Sequence, residues 1–78
     1  MRRRPTPRPW LKELREEKDM SVTELAIAVD VTDIYIRYIE NGDRSPSTQL
    51  AIRIGEVLGL SEEQALIKFF SLKHDTTS

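Results

Sequence analysis

With 78 residues and no cysteine, the chain is long enough for one small domain and too short for two. The lack of cysteine excludes a disulfide framework and a cysteine-ligated metal site. No apolar run approaches the roughly 18 residues that a membrane span requires, and no apolar signal-peptide segment follows the first residues. We therefore expect a soluble cytoplasmic protein without a membrane partner.

The net charge of −1 conceals a strong asymmetry along the chain. Residues 1–18 hold seven basic and three acidic residues, a net charge of +4, whereas residues 19–78 hold five basic and ten acidic residues, a net charge of −5. Within residues 1–9, three prolines disfavour a helix, and four arginines carry positive charge: Arg2, Arg3, Arg4 and Arg8. We expect residues 1–9 to form a flexible basic arm, which serves either as a nucleic-acid contact or as a solubilising tail.

The first two helices are predicted from apolar spacing and a capping signal. Leu11 and Leu14 lie three residues apart, which is helical spacing, and predict a first helix that starts at Trp10 and ends within residues 18–20. Ser21 and Glu24 have the spacing of a capping box, in which each side chain binds the other residue's backbone N–H. A second, short helix is therefore predicted after Ser21.

The third helix has a signal at each end. Thr32 is a suitable N-cap, and Ile36 and Ile39 give the helix an inward face. Residues 41–42, Asn-Gly, are expected to end it, because both residue types tolerate the left-handed conformation of a helix C-terminus.

Two further helices are predicted in the remaining chain. Pro46 suits the start of the fourth, and Gly55 inside it favours a close approach of another helix, since glycine otherwise destabilises a helix interior. Ser61 begins a second capping-box pattern and a fifth helix. Because no strand-like alternation is present, we predict an all-α, five-helix domain over 10–73, followed by a disordered polar tail over 74–78.

A capped helix, a three-residue turn and a second helix that ends at Asn-Gly occupy residues 21–42. This order is typical of a helix-turn-helix, whose second helix fits the DNA major groove. Over most of its length the sequence resembles the Cro and phage-repressor family (the XRE type) of bacterial and phage regulators. The most specific segments are Leu11–Arg15, Glu24–Ala26 and Ile39–Gly42, followed by Arg44, Pro46 and Ser47. The resemblance implies a lambda-repressor-like helix-turn-helix domain that binds double-stranded DNA.

The resemblance also assigns roles to single positions. Arg15 and Glu40 match a pair that commonly forms a partly buried ion pair and fixes the recognition helix against the first helix. The positions that match base-contacting residues are Asp33, Ile34, Arg37 and Tyr38. The positions implied to contact the DNA backbone are Thr32, Tyr35, Asn41, Gly42 and Arg44. The last three belong to a loop that in this family meets a phosphate through backbone amides and a basic side chain.

The sequence departs from the family at positions near the expected DNA surface. Val22 replaces a glutamine that often helps to hold a phosphate, and Asp30 replaces the usual glycine of the turn, although aspartate tolerates a positive φ. Asp30, Asp33 and Asp43 are expected to repel phosphate, and the basic arm to offset that repulsion. As alternatives, Asp33 is a charge at the positive end of the helix dipole and Ile34 is a packing residue.

The C-terminal third holds more large apolar residues than a single core needs. Leu60, Leu66 and one phenylalanine are expected to complete the core. Three others are expected to contribute to a twofold interface: Ile67, Phe70 and Leu72. Dimerisation through the last helix would place two recognition helices about one DNA turn apart.

No catalytic motif is visible, because the single histidine, His74, lies in the polar tail and no glycine-rich phosphate loop is present. We predict no enzyme activity, no cofactor and no metal. The first predicted function is that of a sequence-specific DNA-binding regulator, expected to be a repressor that binds a pseudo-palindromic operator as a homodimer. The alternative is a protein-interaction module with little or no DNA binding, whose acidic body binds another regulator or RNA polymerase.

Overall fold

The computed structural model describes residues 7–70 of the chain. This part contains five helices and no strand, which confirms the predicted all-α fold. The helices are α1 (Pro9–Glu17), α2 (Val22–Val29), α3 (Asp33–Asn41), α4 (Thr48–Val57) and α5 (Glu62–Phe70). The chain divides between Ser45 and Pro46 into two compact units, the first with α1 to α3 and the second with α4 and α5. None of the described helices has the length and the apolar character needed to cross a membrane.

The core of the first unit comes from one apolar stripe on each of its three helices. The buried apolar residues are Leu11, Leu25, Ala26, Val29, Ile36 and Ile39. Each large aliphatic side chain removed from water contributes about 1.5–3 kcal/mol to folding. Leu14, which the sequence pattern placed in the core, is only half-buried, because Arg15 lies beside Leu11 on the buried face of α1.

Local capping bonds set the ends of α2 and α3, as predicted. The Ser21 hydroxyl accepts from the Glu24 N–H at 3.0 Å, and the Glu24 carboxylate accepts from the Ser21 N–H at 2.8 Å. The Thr32 hydroxyl caps α3, because it accepts from the Tyr35 N–H at 3.1 Å. Gly42 ends α3 in the left-handed conformation with φ of 85°. These bonds satisfy N–H groups that have no partner inside the helices.

The second unit is built on a close approach of its two helices. Its buried apolar residues are Ala51, Ile54, Leu58, Ala65 and Phe69. A Cβ placed on Gly55 would lie 2.5 Å from the Cβ of Ala65, so the absence of a side chain at Gly55 allows α4 and α5 to meet. This confirms the prediction made from the glycine inside the fourth helix.

The N-terminus of α4 differs from the prediction by two residues. The Ser47 hydroxyl accepts from the Leu50 N–H at 3.1 Å, so the helix begins at Thr48. Pro46 therefore lies before the cap and not at the first helical position. At α5 the second capping box is present: the Ser61 N–H donates to the Gln64 side chain at 2.9 Å, and the Gln64 N–H donates to the Ser61 hydroxyl at 3.1 Å.

The prediction that Arg8 and Pro9 belong to a flexible arm is wrong. Pro9 is the first residue of α1, where proline is well tolerated because the missing N–H has no partner in a helix. The Arg8 N–H donates to the Glu40 carbonyl at 2.8 Å, and its guanidinium donates to the Ile39 carbonyl at 2.7 Å. Both residues are thus part of the folded unit. The other arginines of the predicted arm (Arg2, Arg3 and Arg4) and the predicted tail lie outside the described residues.

Candidate nucleic-acid interface

Helices α2 and α3 are joined by a three-residue turn over 30–32. Asp30 takes φ of 65° and ψ of 46°, the left-handed conformation that aspartate tolerates better than most residues. The Val31 N–H donates to the Ala26 carbonyl at 3.0 Å, which holds the turn against α2. The turn therefore redirects the chain sharply, and α2, the turn and α3 form a helix-turn-helix.

The outer face of α3 is exposed opposite its buried residues Ile36 and Ile39. Ile34 is 57% exposed and Tyr38 is 41% exposed, which are high values for large apolar and aromatic side chains. Arg37 is also exposed. Of the four predicted base-contacting positions, these three face outward, whereas the fourth, Asp33, is half-buried. Of the predicted backbone-contacting positions on this helix, Asn41 is exposed and Tyr35 is half-buried, while the N-cap Thr32 is exposed.

An ion pair fastens α3 to α1. The Arg15 Nε donates to one Glu40 carboxylate oxygen at 2.7 Å, and its Nη2 donates to the other at 3.3 Å. The remaining Nη1 donates to the Met20 carbonyl at 2.9 Å. The two charged side chains are only 9% and 13% exposed, so the pair is shielded from water. A two-point pair of this kind fixes the angle of the recognition helix more than it adds stability.

The loop after α3 uses its main-chain amides to end the helix. The Gly42 N–H donates to the Ile39 carbonyl at 3.2 Å, and the Asp43 and Arg44 N–H groups both donate to the Tyr38 carbonyl. The resemblance had implied that such amides meet a DNA phosphate. These three amides are thus bonded within the protein, whereas the side chains of Asn41 and Arg44 are exposed.

The Arg44 guanidinium lies 5.5 Å from the centroid of the Tyr38 ring, within the range of a cation–π contact. This contact holds a positive charge beside the exposed face of α3. Three carboxylates oppose it in the same unit: Asp30 and Asp43 are exposed, and Asp33 is half-buried. The surface around α3 is therefore mixed in sign.

Arg8 has a structural role that the sequence did not indicate. Its guanidinium donates to the Ile39 and Arg44 carbonyls at 2.7 and 3.3 Å and lies 3.5 Å from the Ser45 hydroxyl. Burial lowers the pKa of Arg8, although a guanidinium stays protonated at physiological pH. The positive charge sits where the α3 dipole is negative. Arg8 thus holds the end of α3 and the start of the following loop. The sequence signal that could have placed Arg8 at the start of a helix is Pro9, because proline is favoured at the first helical position.

The predicted interface residues lie at the end of the second unit. Ile67 is 38% exposed and Phe70 is half-buried, whereas Leu72 lies outside the described residues. Phe69 is buried, with its ring centroid 6.3 Å from that of Phe70. Ile67 and Phe70 therefore have surface to offer, and their role in a dimer stays a prediction. Within residues 7–70, no group of three or more acidic or histidine side chains could hold a metal ion.

Five short helices with a capped helix-turn-helix, a clamped third helix and an exposed outer face define a DNA-binding domain. Residues 11–64 match the family described as helix-turn-helix. The sequence is 44% identical over 52 residues to the HTH-type transcriptional regulator YqaF of Bacillus subtilis (strain 168), a match that covers 67% of this chain and 68% of that protein.

The fold is also similar to solved structures of the clp gene regulator ClgR from Corynebacterium glutamicum. One has a TM-score of 0.67 at 30% identity and is matched over 78% of this chain and 65% of that chain. A second has a TM-score of 0.64 at 29% identity, over 83% and 86% respectively. In the first structure, about a third of the ClgR chain has no counterpart in the match.

This chain belongs to the XRE-type helix-turn-helix family of DNA-binding transcription regulators. The family is a class of regulators and not of enzymes, in agreement with the lack of a catalytic motif. The expected XRE-type resemblance and the expected DNA-binding class are therefore confirmed.

Proposed function

We propose that this chain is a repressor that binds a twofold-symmetric operator as a homodimer, with α3 in the major groove. The observation that carries the proposal is the outer face of α3, where Ile34 and Tyr38 are 57% and 41% exposed. The opposite face of the helix is buried, and the Arg15–Glu40 pair fixes its angle. A helix held this firmly with large side chains exposed is suited to insertion into a groove.

Four side chains of α3 are proposed to read bases. Arg37 would bind guanine O6 and N7 with two donors, and Asp33 would accept from cytosine N4. Ile34 and Tyr38 present carbon surface that suits the thymine methyl group. The half-burial of Asp33 limits its reach, so Arg37 and Ile34 are the stronger candidates for sequence preference.

A separate set of groups is proposed to bind the DNA backbone. The Thr32 and Tyr35 hydroxyls lie at the start of α3, and the Asn41 and Arg44 side chains lie at its end. Gly42 contributes the turn that brings Arg44 back beside Tyr38. The arm arginines 2–4 would add contacts to phosphate or to the minor groove, and such contacts carry no sequence information of their own.

The dimer is proposed to form through Ile67, Phe70 and Leu72. A twofold dimer would bind two half-sites about 34–36 Å apart, one for each copy of α3. The partial exposure of Ile67 and Phe70 supports this assignment. Equilibrium sedimentation of the protein and of an Ile67→Glu variant tests it, because a charge in an apolar interface should shift the variant to monomer.

The proposal as a whole is tested by selection from a random duplex library, followed by titration of the selected and random duplexes at two salt concentrations. Salt-sensitive binding that enriches an inverted repeat supports the proposal. A folded protein that binds no duplex at low salt overturns it.

One observation favours a second candidate function, a protein-interaction module. Ile27 on α2 is 73% exposed, and Asp30 and Asp43 are exposed in the same unit. A unit that exposes an isoleucine and also exposes carboxylates suits a basic partner protein such as another regulator or an RNA polymerase subunit. Ile27→Ser separates the two functions: DNA affinity should be unchanged if α3 binds DNA, whereas partner binding should be lost if α2 is the contact surface.

A further inference from the structure

A shallow groove of about 270 Å³ crosses the first unit beside the recognition helix. It is lined by Lys12 and Arg15 of α1, Val22 of α2, and Arg37, Glu40 and Asn41 of α3. The groove thus involves α1 as well as the two helices of the helix-turn-helix. The sequence had assigned α1 no contact with DNA. Lys12, Arg37 and Asn41 are exposed at its rim.

The charges in the groove are not balanced. The carboxylate of Glu40 is occupied by Arg15, which binds both of its oxygens at 2.7 and 3.3 Å. Lys12 and Arg37 make no ion pair or hydrogen bond with any residue of the part that the structure describes. Two positive side chains therefore face the groove without a compensating anion.

Nearby carboxylates do not remove this excess. Glu16 lies one helical turn after Lys12, and Asp33 lies one turn before Arg37, spacings at which ion pairs can form on a helix. Neither pair closes to ion-pair distance among the described residues. Lys12 and Arg37 are thus available to an external anion.

From this arrangement we infer that the groove binds one phosphate of the DNA backbone, with Lys12 as its principal cation and Asn41 as a neutral donor. The inference rests on the proposed placement of α3 in the major groove, because the DNA backbone then passes beside that helix. The groove also borders the start of α2 at Val22, where main-chain N–H groups have no partner inside the helix. The apolar side chain of Val22 has no donor for a phosphate, so in this inference Lys12 supplies from α1 the side-chain contact that the valine lacks.

The test compares Lys12→Gln with Lys18→Gln. Both substitutions remove one exposed lysine charge from the α1 region, but Lys18 does not line the groove. Lys12→Gln should weaken binding to selected and random duplexes alike, by roughly tenfold, because a hydrogen bond to a charged group is lost. The slope of log K against log salt should fall in magnitude by about 0.9. Lys18→Gln should change neither quantity by a comparable amount.

The outcomes separate this inference from the proposed function. Equal effects of the two variants on affinity and salt slope overturn the inference, although the proposed DNA-binding function remains. A change in base preference in Lys12→Gln also overturns the inference and leaves that function in place. If the wild-type protein binds no duplex, a titration with inorganic phosphate followed by NMR decides the matter. Shifts of the Asn41 side-chain amide in wild type that are lost in Lys12→Gln support an anion site, and shifts that persist in the variant overturn it.

Discussion

The guanidinium of Arg8 donates a 2.7 Å hydrogen bond to the Ile39 carbonyl, 31 residues away along the chain. The bond joins the residue before α1 to the last turn of the recognition helix. Carbonyls at a helix C-terminus have no partner inside the helix, and a cation there also favours the helix dipole. Arg8 is therefore a positioning residue for α3.

We expect Arg8→Ala to lower the free energy of unfolding by about 1–2 kcal/mol, since it removes charged hydrogen bonds from a half-buried site. Urea unfolding followed by circular dichroism measures the change. Arg53→Ala is the matched control, because Arg53 is exposed on α4 and should shift stability by less than about 0.5 kcal/mol. Equal losses in the two variants would show that Arg8 does not hold α3.

The Arg15–Glu40 pair leads to a second prediction. Glu40→Gln should destabilise the protein by about 2–4 kcal/mol, because it leaves the shielded Arg15 charge without a counter-charge. The double replacement Arg15→Met with Glu40→Leu should cost less than the single change, because no buried charge remains. Urea unfolding of Glu40→Gln and of the double variant gives the comparison. A double variant less stable than Glu40→Gln contradicts this account of the pair.

Local signals explain why much of the fold could be predicted from the sequence. The Ser21–Glu24 capping box, the Thr32 cap and the Gly42 turn each depend on residues no more than a few positions apart. The left-handed conformation of Asp30 could likewise be predicted from the sequence, because few residues other than glycine, asparagine and aspartate adopt that conformation readily.

The features that the sequence did not indicate depend on tertiary contacts. Arg8 was assigned to an arm from proline density, although its bonds are to residues on a distant helix. The sequence analysis gave Lys12 no role, and only the folded structure shows that it lines the same groove as Arg37 and Asn41. Ile27 has the apolar character of a core residue but is 73% exposed, and periodicity within one eight-residue helix is too short to assign it.

A third prediction concerns sequence readout by Arg37. Arg37→Ala should weaken the preference for one base at one position of each half-site, while the fold stays intact. The loss in binding free energy between the preferred base and the others should be about 1–3 kcal/mol. Because Arg37 also lines the groove with Lys12, affinity for random duplexes should fall as well. Repeating the library selection with the variant measures the base preference, and Arg53→Ala controls for the loss of one arginine charge. An unchanged selected sequence would remove Arg37 from the base contacts.

The approach of α4 and α5 at Gly55 gives a fourth prediction. Alanine would gain about 1 kcal/mol of helix propensity over glycine, but its Cβ would lie 2.5 Å from the Cβ of Ala65. Since neither atom can move without the backbone, Gly55→Ala should be net destabilising by about 1–3 kcal/mol. Adding Ala65→Gly to Gly55→Ala should recover part of this loss in thermal unfolding. A Gly55→Ala variant as stable as the wild type would show that α4 and α5 can move apart without a loss of free energy.

The basic arm gives the last prediction, and the contacts of Arg8 determine where the truncation must stop. Deleting residues 2–6 removes Arg2, Arg3 and Arg4 but leaves Arg8 and the start of α1 in place. We expect weaker binding to all duplexes alike, with the salt slope reduced by about 0.9 for each arginine that neutralises a phosphate. Deleting residues 2–8 should also lower the free energy of unfolding, because the bond to the Ile39 carbonyl is lost. If the shorter deletion changes neither affinity nor salt slope, the arm makes no DNA contact. If the two deletion variants unfold at the same urea concentration, the hydrogen bond from Arg8 to α3 contributes no stability.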